Sequence, residues 1–131
     1  GNATLLLNVP PNDKGELPEK FIDRLKKTKT KIEKRFSEKA EILSIRKGSD
    51  TVTVKIKPKK IKTIVLSEDI TKSQRIEEFF ITANGKNIYN GTAIGFKKIC
   101  ILKKPVADCS EIKIHIQKCR KEPHIKNISI F

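Results

Sequence analysis

The spacing of apolar positions changes period about a third of the way along the chain. Leu5-Leu6-Leu7-Asn8-Val9 is a short continuous apolar run, stopped by Pro10-Pro11-Asn12-Asp13-Lys14-Gly15. Continuous rather than alternating hydrophobicity predicts a strand buried on both faces, as in a parallel sheet. The partners of such a strand are expected to lie upstream of Gly1. A helix follows. Pro18 suits its first turn and Glu19 sits near the positive end of its dipole. Phe21, Leu25, Thr28, Ile32 and Phe36 recur at steps of three and four, which gives a narrow apolar stripe on a charged helix.

After about residue 40 the pattern alternates. Val52, Val54 and Ile56 are interleaved with Thr51, Thr53, Lys55 and Lys57, which predicts a half-buried strand. Pro58-Lys59-Lys60 is expected to interrupt it, with a second strand over residues 61–66. Further strands are expected over residues 76–83, ending at the turn Asn84-Gly85, then 86–89 and 96–102. Ile112, Ile114 and Ile116 mark another, and Ile125, Ile128 and Ile130 close the chain. Short strands at regular intervals with polar turns predict an antiparallel β-sandwich preceded by one α-helix and a short leader strand.

Composition narrows the functions available. A chain of 131 residues is about one domain long, and a complete (β/α)8 barrel needs roughly 200 residues or more. The formal charge of +14 comes from 29 Lys plus Arg against 15 Asp plus Glu. Such a balance admits a nucleic-acid or anionic-surface binder as an alternative. The excess is mainly Lys, however, and the chain has no Trp and one Tyr. Bidentate Arg and aromatic platforms are what read bases, so no specific nucleic-acid partner is expected. No run of about 18 apolar residues occurs, so no membrane partner is expected. Cys100, Cys109 and Cys119 make an odd set without CxxC spacing, and reduced thiols are expected. Cys100 and Cys119 flank apolar positions and are expected to pack as small hydrophobes. Asn2, Asn90 and Asn127 head glycosylation sequons.

Two segments carry a family resemblance. Leu5-Leu6-Leu7-Asn8-Val9-Pro10-Pro11-Asn12-Asp13-Lys14-Gly15 resembles the end of the catalytic barrel in glycoside hydrolase family 29 α-L-fucosidases, with Lys14 inserted between Asp13 and Gly15. The run from Ile64 to Phe79 is similar to the discoidin-like C-terminal sandwich of bacterial members, and residues 91–98, 113–116 and 123–131 continue the match in order. The resemblance implies a boundary near residue 40. Residues 1–40 would be the last β/α unit of the barrel, and 41–131 the C-terminal β-sandwich. It also implies a parent enzyme that removes terminal α-L-fucose from glycans, bacterial and secreted or periplasmic. The chain departs from the family by lacking the Asp-Gly-Asp stretch and Trp ahead of Thr51, so the first sandwich strand is expected to be missing or degenerate.

Retaining glycoside hydrolysis needs two carboxyl groups about 5–5.5 Å apart, and no residue here corresponds to the family's nucleophile or acid/base. The chain is therefore expected to be non-catalytic by itself, with the fucosidase barrel as its partner and a fucosylated glycan as a possible ligand. A stand-alone carbohydrate-binding module is the other alternative. Asn8 is a candidate wall of the fucose pocket, or else a cap of the Pro10-Pro11 turn. Glu68, Gln74 and Arg75 form the best polar constellation for a sugar hydroxyl, or else a Glu68–Arg75 pair that pins the intervening loop. His115 and His124 lack a ligand spacing, so no metal and no cofactor are expected.

Overall fold

The computed structural model describes residues 6–71 and 73–131, and the chain divides into two compact units between Glu38 and Lys39. In the first unit residues 6–9 form no strand, which corrects the predicted leader strand as far as Leu6; Leu5 lies outside the described residues. A strand needs a hydrogen-bonded neighbour, and residues 6–9 have no strand partner among the described residues of their unit. Leu6 and Leu7 are accordingly 92% and 60% exposed. The Asn12 carboxamide oxygen accepts from the backbone N–H of Lys14 at 3.0 Å and of Glu16 at 2.9 Å, closing a turn that Gly15 completes at φ 78°. Helix α1 spans Glu19–Phe36, entered through Pro18 with Glu19 in its first turn and Lys34 and Arg35 in its last. None of its residues is buried.

The second unit holds six strands: β1 (Ile42–Lys47), β2 (Thr51–Glu68), β3 (Ile76–Ala83), β4 (Lys86–Gly91), β5 (Lys98–Cys119) and β6 (Ile125–Ile130). They run in the order β1-β2-β5-β3-β4 with β6 on β2, all pairs antiparallel. Two differences from expectation share one cause. Pro58-Lys59-Lys60 bends β2 without ending it, and the strands expected at 96–102 and 112–116 are one strand, β5. Pro58 has no N–H to give the ladder, and the β2–β5 register shifts three times between Lys55 and Thr63. Such irregularities turn a ribbon rather than cut it. Lys62 and Thr63 N–H both point to the Phe131 carbonyl, at 2.6 and 2.9 Å, as at a bulge.

The bent ribbon serves both layers of the sandwich. Its Thr51–Lys55 and Glu111–His115 half pairs with β1 and β3, and its Thr63–Leu66 and Lys98–Ile101 half pairs with β6. Val52, Val54, Ile112, Ile114, Phe79 and Ile81 join Ile64, Leu66, Cys100, Ile128 and Ile130 in one buried cluster. The first sandwich strand is present: β1 occupies the place where a missing or degenerate strand was expected. It is an edge strand with five of six residues exposed, so its sequence carries little alternation to read. Asn84 and Gly85 both take positive φ, 46° and 82°, as a two-residue hairpin turn requires. The Asn84 side chain then bonds the Asp108 carbonyl and the Ser110 and Glu111 N–H groups, holding β5 where Asp108 has φ 45°.

Candidate functional site

Glu68 ends β2 with its side chain 2% exposed. One carboxylate oxygen accepts the backbone N–H groups of Arg75 at 2.7 Å and Ile76 at 3.0 Å, and the other accepts that of Gly95 at 3.3 Å. A buried carboxylate is tolerated when such donors replace its lost hydration. The carboxylate thus ties both ends of the loop between β2 and β3 to the segment leading into β5. The pairing expected between Glu68 and the Arg75 guanidinium is replaced by this backbone clamp. Arg75 Nη1 instead donates to the Glu122 carbonyl at 2.7 Å, while its Nε is buried without a partner among the described residues.

Glu68, Gln74 and Arg75 therefore share one loop system, with Gln74 half-buried. Asp69 caps the same loop by accepting from Thr71 N–H and Oγ1, at 3.1 and 2.8 Å, and Thr71 holds its carboxyl below the usual carboxylate range. Asn8 is exposed in the other unit, and Asn12 rather than Asn8 organises its turn. Glu77 is engaged by Arg120 and Lys118 at 2.6 and 3.4 Å. Among the described residues no group of three His, Cys, Asp or Glu could hold a metal ion, and no helix is long and apolar enough to cross a membrane. Cys100 and Cys109 are buried and free. Cys119 is exposed, not packed as expected, because β5 ends there.

The two outer faces of the sandwich differ in chemistry. On one, Phe80 lies flat against His115 with centroids 4.3 Å apart, and His115 Nε2 meets Thr82 Oγ1 at 3.2 Å. Thr51, Thr53 and Lys113 continue that row across the ladder. The other carries the cross-strand pairs Thr63–Ile101 and Val65–Ile99. Thr63 and Val65 are buried, while Ile99 and Ile101 remain 43% and 54% exposed. The apolar outer face has a signal in the sequence that the alternation argument passed over. Ile64-Val65-Leu66 and Ile99-Cys100-Ile101-Leu102 are continuous apolar runs, which mark strands covered on both faces.

No protein-family model and no curated protein sequence matches the chain. Solved structures do. A protein assigned as an α-L-fucosidase in Bacteroides ovatus superposes with TM-score 0.87 and 29% identity, over 99% of this chain and 24% of its own. The chain corresponds in structure to a segment of α-L-fucosidases. A second protein assigned as an α-L-fucosidase, from Bacteroides thetaiotaomicron, matches at TM-score 0.79 and 27% identity, over 98% of this chain and 30% of its own. A family 29 fucosidase of Ruminococcus gnavus, solved with fucose, shares the fold at TM-score 0.76 and 23% identity, over 99% of this chain and 34% of its own. The chain thus spans between a quarter and a third of these fucosidases' length.

Proposed function

We propose that this chain is a segment of an α-L-fucosidase, a non-catalytic module that supports a catalytic barrel in removing terminal α-L-fucose from glycans. Residues up to about 40 would complete the barrel, and the sandwich would brace it. The outer face holding Ile99 and Ile101 carries this reading. Two half-exposed isoleucines beside buried Val65 are the surface of a sheet that expects a further layer, and covering them would contribute about 1–2 kcal/mol each. The apolar stripe of α1, with Leu25 and Ile32 38% and 54% exposed, is a second surface of that kind. Two carboxylates of the sandwich are engaged in structure, Glu68 with backbone donors and Glu77 with Arg120, which suits support.

A chimera tests this. The 131 residues would replace the matching segment of the Bacteroides ovatus protein. The expected result is one cooperative melting transition with turnover of an aryl α-L-fucoside, and no turnover by the isolated chain. Ile99→Lys with Ile101→Lys should lower the melting temperature of the chimera and leave that of the isolated chain nearly unchanged. Equal shifts in both settings, or turnover by the isolated chain, would overturn the proposal.

A further inference from the structure

The positive charge is concentrated in space. Residues 55–67 and 97–107 contain nine lysines and no Asp, Glu, Arg or aromatic residue. The register lays these two segments side by side through the bend of the β2–β5 ribbon, with Ile61 opposite Val106 and Thr63 opposite Ile101. Lys57, Lys60, Lys62, Lys103 and Lys104 are exposed. None of these five has an ion-pair partner among the described residues. Carboxylates bordering the bend include those of Glu111, opposite Lys55, Asp108, beside Cys109, and Glu41, whose carbonyl accepts the Lys57 N–H.

Like charges fixed on adjacent strands repel one another, and a folded bend that leaves these five without a carboxylate partner among the described residues is a standing attraction for a polyanion. We infer that this lysine bend binds an acidic polysaccharide, one bearing sulfate or carboxylate groups along its chain. The surface lacks Arg forks and stacking rings for reading bases. The exposed residues beside these five lysines are Pro58, Pro105 and Ala107, and the exposed apolar side chains of the two segments are Ile99 and Ile101 at one end, a small apolar area to insert into a bilayer. Point charges held on two paired strands instead match a ligand recognised by its own repeated charges. The inference stands independently of the barrel-support proposal.

The test is titration of the purified chain with heparin, polygalacturonate, duplex DNA of similar length and anionic phosphatidylserine vesicles, from about 50 to 200 mM salt. Heparin or polygalacturonate should bind more tightly than DNA or vesicles at every salt concentration, with log affinity falling linearly in log salt. Lys57→Gln, Lys60→Gln, Lys103→Gln and Lys104→Gln together should weaken binding by about tenfold or more, since each lysine acts additively at a charged surface. A control removing Lys26, Lys27, Lys29 and Lys31 from α1 in the same way should change it less than about twofold. Equal losses from the two quadruple variants would leave only net charge and overturn the proposal. Tighter binding to DNA or vesicles, or no polysaccharide binding at the lowest salt, would also overturn it.

Discussion

Replacing Glu68 gives the sharpest test of how the sandwich is held. Glu68→Ala deletes the acceptor of three backbone N–H groups, those of Arg75, Ile76 and Gly95 at 2.7, 3.0 and 3.3 Å. A buried donor left unpaired costs about 1–3 kcal/mol. Ile76 and Gly95 are held in buried bonds, whereas the Arg75 N–H is partly buried and can regain a water. The longest of the three bonds is also the weakest. The sum is about 3–5 kcal/mol. For a domain of about 100 residues each kcal/mol lowers the melting temperature by about 4–8 °C, so a fall of at least about 12 °C is expected. Glu68→Gln keeps the oxygen shared by Arg75 and Ile76 but turns an amide donor towards the Gly95 N–H, so its loss should be about 1–3 kcal/mol. Calorimetric or circular-dichroism melting, with exposed Glu78→Gln as the control, measures all three. The reasoning is refuted if the Ala variant melts within about 4 °C of the wild type, or if Gln is as costly as Ala.

Three other perturbations bear on separate parts of the fold. A Cβ at Gly91 would lie 2.6 Å from the Phe79 ring and 2.9 Å from Tyr89, so Gly91→Ala should destabilise by about 1–3 kcal/mol in chemical denaturation; a neutral variant would show that the β3–β4 edge gives way freely. The Arg120 hydrogen bond, helped by Lys118, holds the Glu77 carboxyl below its ordinary value. A depressed folded-state value means that this contribution is present above the unfolded value and lost as pH falls through the folded one. Arg120→Gln should therefore raise the Glu77 titration midpoint in a carboxyl-detected NMR titration, and an unchanged midpoint would dismiss the pairing. Burial pushes the Cys100 thiol up to about 11 and raises that of Cys109, while Cys119 is exposed. At about pH 8 a thiol reagent should label one cysteine rapidly and the other two only on unfolding; three equal rates would contradict the packing.

Much of the architecture was legible because its causes are local. The α1 stripe follows from side chains spaced three and four apart, and the β3–β4 hairpin from an Asn-Gly pair that tolerates positive φ. The family match rested on an ordered set of short motifs, and superposition on a quarter of a longer fucosidase agrees with it. Tertiary structure decided what local patterns do not contain. Pro58 looked like a strand end, but β5 pairs along both sides of the irregularity and carries the ribbon through it. Edge strand β1 is legible only beside β2, since five of its six side chains are exposed. Glu68, Gln74 and Arg75 lie close in sequence, yet which groups the carboxylate holds depended on where the Gly95 backbone arrives from 27 residues away. Periodicity reports which side of an element is covered. It cannot report which distant donor or strand does the covering, because that is fixed by how the chain folds back on itself.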